Sequence, residues 1–238
     1  MLRALIWDVD GTVAETERDG HRVAFNAAFE SAGLPWRWSE ADYGPLLTIT
    51  GGLERILHDM ASRSDAPGDV AERLSLAREL HQRKNALYAD LVSQGRITAR
   101  PGVLRLMEEC QAAGVRLAIA TTTSTSNFEA LFAMLMQPHW RERFAAVVCA
   151  EHAPQKKPHP QVYLLALQLL GIAAHEAFAL EDSPNGLEAA RAAGIACGIT
   201  RSAYFASAAF PGAAWVQDDL DTPTRVCLDS GTIKPLLS

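Results

Sequence analysis

The sequence predicts an α/β fold in which a parallel sheet has helices on both faces and a helical domain follows the first strand. Two observations predict it. Five short apolar runs alternate with helical patterns along most of the chain, and such alternation is typical of parallel sheets joined by right-handed crossovers. Residues 16–96 break the alternation and contain only helical patterns. We therefore expect a Rossmann-like core that carries a helical cap.

The predicted strands are short apolar runs, each followed by polar or turn residues, which indicates strands buried in a sheet. The first strand, residues 2–7, ends abruptly at Asp8-Val9-Asp10-Gly11. The other four predicted strands cover residues 115–120, 145–149, 177–180 and 195–199.

Three helices between these strands have recognisable ends. Residues 102–110 and 160–170 form apolar or amphipathic stretches that are followed by Gly114 and Gly171, and glycine is a common helix C-cap. Ser183-Pro184 is typical of an N-cap with proline at the first helical position, and residues 185–193 then lead to Gly194.

The inserted region has helical patterns at residues 22–32, 53–62 and 70–91. We therefore predict a catalytic core of residues 1–15 and 97–238 and a helical cap of residues 16–96. We expect the aromatic residues Trp36, Trp38 and Tyr43 to pack in the core of the cap rather than to stack on a ligand. The polar stretch 81–84 is typical of a solvated helix face.

Composition narrows the class of function. The 238 residues carry a formal net charge of −6. This charge argues against nucleic acid or an anionic membrane as a partner, since both bind proteins through basic patches. No apolar run is long enough to span a bilayer, and residues 2–7 are too few for a secretion signal. The four cysteines form no CxxC pair, so buried free thiols are expected. We expect a cytoplasmic monomer that acts on a small molecule.

Chemistry-bearing residues follow the predicted strands, where ligands bind in open parallel sheets. The residues in question are Asp8 and Asp10, Thr121 to Ser124, Lys156 and Lys157, and Glu181 and Asp182. Clustered carboxylates repel one another unless a cation lies among them, and hard oxygen ligands suit magnesium. The sequence therefore predicts a magnesium site that binds a phosphate group.

The same residue types suit phosphoryl transfer. Asp8 could attack phosphorus, while a threonine hydroxyl and Lys157 hold the other phosphoryl oxygens. Asp10 lies two residues further on and could exchange a proton with the leaving group and with water. Thr122 and Thr123 could contact the phosphate or cap the next helix. A calcium loop is disfavoured because Gly11 follows Asp10 immediately.

Four motifs together resemble the haloacid dehalogenase superfamily. They are Asp8-Val9-Asp10-Gly11-Thr12, Thr121, Lys157-Pro158 and Leu180-Glu181-Asp182-Ser183. The resemblance implies that Asp8 is a nucleophile, that Asp10 is an acid/base, and that Thr121 and Lys157 bind the phosphoryl group. It also implies magnesium held by Asp8, the Asp10 carbonyl and Asp182. Glu181 matches a metal-binding or metal-supporting acid of the beta-phosphoglucomutase branch.

The cap segments resemble the xylulose-1,5-bisphosphate phosphatases encoded beside Calvin-cycle genes. The similar segments are 14–17, 21–26 and 46–56, with Leu53 where those relatives usually have lysine. The resemblance implies sugar or distal-phosphate contacts from Glu17, Thr50, Gly51, Gly52 and Arg55. His21 and Lys84 are further candidates for substrate binding, and the spacing leaves open whether Glu15 or Glu17 faces substrate.

The leading hypothesis is a magnesium-dependent phosphatase of a sugar bisphosphate, with xylulose-1,5-bisphosphate as the expected substrate. The alternative is a mutase of the beta-phosphoglucomutase type, which shares every core motif. A third hypothesis is metal-independent carbon–halogen hydrolysis, but enzymes of that kind usually lack an acid at the position that Asp10 occupies here. A non-catalytic binding protein is disfavoured because the implied nucleophile and metal ligands are all present.

Overall fold

The chain folds into two compact units in a computed structural model that describes residues 1–136 and 139–236. The first, which we call the sheet unit, comprises Met1–Glu15 and Thr98–Ser238. The second, the helical unit, comprises Thr16–Ile97. Residues 137–138 and 237–238, which the predicted core includes, lie outside the described residues.

A six-stranded parallel sheet forms the centre of the sheet unit, with strand order β3-β2-β1-β4-β5-β6. The strands are β1 (Ala4–Trp7), β2 (Arg116–Ala120), β3 (Phe144–Val148), β4 (Ala177–Glu181), β5 (Ala196–Thr200) and β6 (Trp215–Gln217). The order changes direction between β1 and β4, and open sheets bind ligands beside such a point. The predicted fold class is confirmed.

The sequence of β1 explains why it lies in the middle of the sheet. All four of its residues are apolar and fully buried, as a strand covered on both faces requires. Its last residue, Trp7, lies opposite Ile119 of β2 and Leu180 of β4. The next residue continues the pairing, because the Asp8 N–H donates to the Leu180 carbonyl at 3.0 Å. The polar residues that follow these three strands therefore leave the sheet at one edge.

Four helices make up most of the helical unit. They are α1 (Arg22–Ser31), α2 (Glu40–Leu46), α3 (Gly52–Ser62) and α4 (Val70–Ser93). Sequence patterns predict three of them but miss α2, which has only seven residues and contains Pro45. A capping box between Ser39 and Asp42 starts that helix. Trp36, Trp38 and Tyr43 are buried with Phe25 and Phe29 in an aromatic core, as predicted.

The sheet unit contains the helices α5 (Val103–Ala112), α6 (Thr125–Met136), α7 (Gln161–Leu170) and α8 (Pro184–Ala192). The N-cap of α8 is the predicted one, since the Ser183 hydroxyl accepts from the Gly186 N–H at 3.1 Å. Pro184 occupies the first helical position, where the missing N–H has no cost.

The C-terminal part of the sheet unit contains elements that sequence patterns miss. These are β6 and the antiparallel pair of β7 (Val226–Asp229) and β8 (Thr232–Pro235). Each has only three or four residues, which is too few to show a period. The four cysteines are free and buried, as expected. Among the described residues, no helix has the length and apolar character needed to cross a membrane.

Candidate active site

The loop after β1 turns sharply and buries the first acid of the site. Asp8 is buried, and its Oδ2 accepts from the Thr12 hydroxyl at 3.3 Å. Gly11 has φ +85°, a conformation that glycine adopts without strain. A Cβ at this position would lie 2.1 Å from Oδ2 of Asp182. The loop therefore needs glycine both for its turn and for its close approach to the end of β4.

Lys157 lies at the centre of the site and links three elements. Its Nζ donates to Asp8 Oδ1 at 2.6 Å, to Glu181 Oε1 at 2.6 Å and to the Ala120 carbonyl at 2.9 Å. An ammonium has three protons, so these acceptors use its full donor capacity. Burial alone would lower the pKa of Lys157, but the attraction of Asp8 and Glu181 outweighs burial and raises the pKa. The ammonium is therefore a fixed positive charge beside Asp8.

Tyr163 on α7 is a site residue that sequence reasoning missed. Its hydroxyl donates to Glu181 Oε1 at 2.7 Å, the oxygen that also accepts from Lys157. The Glu181 carboxylate lies directly against Gly186, where a Cβ would come within 2.0 Å of it. Glu181 is therefore held in one orientation, with one oxygen committed to Lys157 and Tyr163.

Three buried carboxylates meet at this edge of the sheet. One oxygen each from Asp8, Glu181 and Asp182 lies within 4.8 Å of the other two. Burial, and next the charge of Glu181, raises the pKa of Asp8 from its usual 3.8 to about 7. Burial, and next the charge of Asp8, raises the pKa of Asp182 well above its usual value. Three crowded hard oxygen donors whose mutual repulsion Lys157 relieves only in part fit a divalent cation such as Mg²⁺.

The structure also places Asp10 and the threonines predicted at the ends of strands. Asp10 is half-buried in the loop after β1, and its charge contributes to the raised pKa of Asp8. Thr121 is buried after β2, and its hydroxyl accepts from the Thr123 N–H at 3.2 Å. Thr123 is buried, whereas Thr122 is half-buried.

Ser124 and Glu151 accept hydrogen bonds from N–H groups at the start of α6. The Ser124 hydroxyl accepts from the Asn127 N–H at 3.3 Å, and the Glu151 carboxylate accepts from the Thr125 N–H at 3.1 and 3.2 Å. Phosphate contact is therefore favoured over helix capping for Thr122 and Thr123, because other side chains already accept from N–H groups of the first turn.

In the helical unit, Glu17 and Arg55 form a partly buried bidentate ion pair. Arg55 Nη2 donates to Glu17 Oε1 at 3.1 Å and Nη1 donates to Oε2 at 3.2 Å. The Tyr43 hydroxyl donates to Glu17 Oε2 at 2.6 Å and accepts from Arg55 Nη1 at 2.9 Å. Arg55 Nε also donates to the Ile49 carbonyl at 2.9 Å. The structure therefore joins two residues that the sequence suggests only as separate substrate contacts.

Glu15 belongs to the other unit. Its carboxylate accepts from the Ala203 N–H at 3.2 and 3.4 Å and lies 3.6 Å from Arg100 Nε. All three residues are in the sheet unit. Of the two acids that the sequence leaves open, Glu17 is the one in the helical unit.

His21 and Lys84 lie together in the helical unit. Lys84 Nζ is 2.9 Å from His21 Nδ1, and the His21 ring stacks on Tyr88 at 4.2 Å between centroids. Lys84 is only 3% exposed. The expectation of a solvated face at 81–84 is therefore wrong for Lys84, because the side chain points inward between the Phe25 and Tyr88 rings.

The candidate phosphate-binding segment of the helical unit leads into α3. Thr50 is half-buried, Gly51 has φ +108° and Gly52 is the first residue of the helix. A Cβ on Gly52 would lie 2.8 Å from His81 Nε2, so this glycine allows close packing against α4.

Replacing Arg55 with methionine is expected to destabilise the protein by about 3 kcal/mol, because it leaves the Glu17 carboxylate without its charged partner. The Glu17→Gln and double variants complete a thermodynamic cycle measured by urea unfolding. We expect a coupling of roughly 1–3 kcal/mol between the two side chains. Additive effects within about 0.3 kcal/mol would contradict the ion pair.

Comparisons with known proteins show the family of the chain. Residues 2–194 match the model of the haloacid dehalogenase-like hydrolase family. The chain is 44% identical to "Protein CbbY, plasmid" of Cupriavidus necator over 94% of this chain and 88% of that protein. It also resembles two crystal structures of CbbY from Rhodobacter sphaeroides, each with TM-score 0.86, 39% identity and coverage of 92% of this chain and 95% of that chain.

One of these crystal structures is a complex with phosphate, and the other is a mutant in complex with xylulose-(1,5)bisphosphate. The family model spans the loop after β1, Thr121, Lys157 and the two acids at the end of β4. The chain belongs to the haloacid dehalogenase-like hydrolases and, within them, to the CbbY family of phosphatases.

Proposed function

We propose that this protein is a magnesium-dependent phosphatase that removes one phosphate from xylulose-1,5-bisphosphate through a phosphorylated Asp8. The observation that carries the proposal is the buried Lys157–Asp8 contact of 2.6 Å beside two further carboxylates. This contact holds the Asp8 carboxylate at the end of β1, next to the positive charge of Lys157. The sugar assignment is supported by the bisphosphate bound to the CbbY relative.

The first half of the reaction transfers the phosphoryl group to the protein. A carboxylate oxygen of Asp8 forms a bond to phosphorus as the bond from phosphorus to the sugar oxygen breaks. Asp10 donates its proton to that sugar oxygen, which leaves as an alcohol. Lys157 and the hydroxyl of Thr121 stabilise the negative charge on the phosphoryl oxygens in the transition state.

The second half of the reaction returns the protein to its starting state. Asp10 accepts a proton from water as the water oxygen bonds to phosphorus, and the bond between Asp8 and phosphorus breaks. Phosphate leaves, and the Asp8 carboxylate re-forms beside Lys157. Glu181 keeps the charge of Lys157 balanced, because its Oε1 accepts from that ammonium throughout.

Magnesium would be held by Asp8, Asp182 and the backbone carbonyl of Asp10, with Glu181 beside them. When bound, Mg²⁺ supplies the positive charge that lets a phosphate dianion approach a carboxylate. Glu181 has one oxygen committed to Lys157 and Tyr163. We therefore assign it mainly to orienting the ammonium, and Asp182 to the metal.

The helical unit supplies the residues proposed to recognise the sugar and its distal phosphate. Glu17 would accept hydrogen bonds from sugar hydroxyls, with Arg55 and Tyr43 holding its carboxylate. The backbone N–H groups of Thr50 to Gly52 and the buried Lys84 would bind the distal phosphate. His21 would position Lys84, from which it lies 2.9 Å away. Thr122 and Thr123 would contact the reacting phosphate.

Phosphate release from a panel of sugar mono- and bisphosphates, with and without Mg²⁺, tests the proposal. We expect xylulose-1,5-bisphosphate to have kcat/KM at least about tenfold above the other compounds, because monophosphates lack the distal phosphate and other bisphosphates differ in the sugar hydroxyls that Glu17 would bind. Chelation should lower the rate by about 100-fold or more. Isomerisation of a hexose 1-phosphate without phosphate release would indicate a mutase instead. Full activity under chelation would overturn the metal assignment.

A further inference from the structure

Arg100 lies where the chain returns to the sheet unit, next to the loop that carries the nucleophile. Ala99 forms an antiparallel bridge with Ala14, and the Arg100 N–H donates to the Val13 carbonyl at 2.8 Å. The Arg100 side chain is only 8% exposed. Its guanidinium is thus buried among backbone atoms of the sheet unit.

The guanidinium of Arg100 joins four separate points of the backbone. Nη1 donates to the carbonyls of Gly11 and Thr200, the latter at 3.0 Å, and Nη2 donates to those of Arg201 and Asp218 at 2.5 Å each. Nε lies 3.6 Å from Glu15 Oε1. Arginine suits this position because its planar fork presents five N–H donors in fixed directions.

Two of these carbonyls belong to loops on either side of Asp182. Gly11 directly follows Asp10, and its Cα faces the Asp182 carboxylate so closely that a Cβ would lie 2.1 Å from Oδ2. Arg201 precedes Ser202, which is buried and hydrogen-bonds the Asp182 side chain. Movement of either loop would therefore change the distance between the Asp10 backbone and Asp182.

We propose that Arg100 is a positioning residue for the metal site: it clamps the loop after β1 to the loop after β5, so that Asp8, the Asp10 carbonyl and Asp182 stay at the spacing of a divalent cation. Among the described residues, Arg100 donates no hydrogen bond to these three oxygen donors: it acts through the backbone of Gly11 and Arg201, and its charge also attracts the Asp182 carboxylate. This inference rests on the proposed magnesium-dependent function. It adds a residue that none of the four motifs contains.

The test compares Arg100→Gln and Arg100→Lys with a matched control, Arg105→Gln. Arg105 is also a multiply bonded arginine of the sheet unit, donating to the Leu220 and Val226 carbonyls at 3.1 and 3.0 Å and to Asp221 and Glu109 at 2.7 and 2.9 Å. None of its acceptors is in the loop after β1. Loss of a fold-stabilising arginine is therefore common to both positions, whereas the link to the metal site is specific to Arg100.

Isothermal titration with MgCl₂ and steady-state kinetics provide the readouts, at a temperature where all variants are folded. We expect Arg100→Gln to weaken Mg²⁺ binding about tenfold and to lower kcat about 100-fold with KM changed less than threefold, as for a positioning defect of the second coordination sphere. Arg100→Lys, which offers one nitrogen instead of a fork, should weaken Mg²⁺ binding about threefold. Arg105→Gln should lower Tm with Mg²⁺ affinity within twofold of wild type.

Two results would overturn the inference, and they are distinguishable. Wild-type protein that binds no Mg²⁺ would overturn the proposed function and this inference with it. Wild-type protein that binds Mg²⁺, with Arg100 variants that bind it equally tightly, would overturn the inference alone. If Arg100→Gln does not fold, the Mg²⁺ affinity of Arg100→Lys is compared with that of wild type instead, and equal affinity overturns the inference.

Discussion

Replacing Asp8 with asparagine is expected to lower kcat by about 10⁴-fold or more, because an amide oxygen is too weak a nucleophile to form the acyl phosphate that the reaction requires. The substitution keeps the size of the side chain and its contact with Lys157 Nζ at 2.6 Å. Substrate binding should persist, so calorimetric titration of the variant with the bisphosphate gives the required control. Wild-type rates in this variant would exclude Asp8 as the nucleophile.

The same variant should gain stability relative to wild type as the pH rises. The pKa of Asp8 is raised from 3.8 to about 7 in the folded protein, first by burial and next by Glu181. The folded state then holds this proton more tightly than the unfolded state, and the resulting stability is complete below about pH 4 and lost as the pH rises through about 7. Asparagine does not titrate, so the Asp8→Asn variant does not lose this stability as the pH rises.

Thermal unfolding in chelator measures this effect. We expect the Tm of Asp8→Asn minus that of wild type to grow between pH 4 and pH 8. A difference that is constant over this range would show that the site imposes no penalty on the Asp8 carboxylate.

Replacing Lys157 with methionine has the second-largest expected effect, on both rate and stability. It removes the only cation that contacts Asp8 and Glu181 in the described part of the chain and leaves both carboxylates buried. Removing one partner of a buried ion pair costs about 3–5 kcal/mol. The rate should fall by about 10³-fold, because the transition state loses a fixed positive charge.

Urea unfolding and single-turnover kinetics separate these two effects. Lys156→Met is the matched control, since Lys156 is the preceding residue but is partly exposed. We expect the control to change the free energy of unfolding by less than about 0.5 kcal/mol and to leave the rate unchanged. In Lys157→Met, Mg²⁺ should raise Tm more than in wild type, because bound cation replaces part of the lost positive charge. Equal behaviour of the two variants would contradict the central role of Lys157.

The fold and the core of the site are predictable from sequence because both depend on local patterns. The buried strands are apolar runs, and the polar residue after each run marks the edge of the sheet. Asp8 and Asp182 follow from this rule, since parallel strands bring their carboxyl ends together, whereas the choice of Thr121 and Lys157 over their neighbours also needs the motif resemblance.

The partners of these residues are less predictable because they depend on packing between distant segments. Tyr163 appears in sequence only as one residue of an apolar helix, and its contact with Glu181 is set by how α7 packs on the sheet. The pairing of Glu17 with Arg55 spans 38 positions, with no periodic signal to connect them. Lys84 lies in a polar stretch, and its burial depends on how α4 packs against α1.

The most direct test is acid quench during the first turnover with ³²P-labelled substrate. Label on the protein is counted in one part of the sample, and another part is reduced with borohydride, which releases the labelled phosphate, and is analysed by peptide mass spectrometry. An acyl phosphate on Asp8 would be reduced to homoserine at position 8, and this is the predicted result. Turnover that proceeds with no labelled protein, or with label on another residue, would contradict the account.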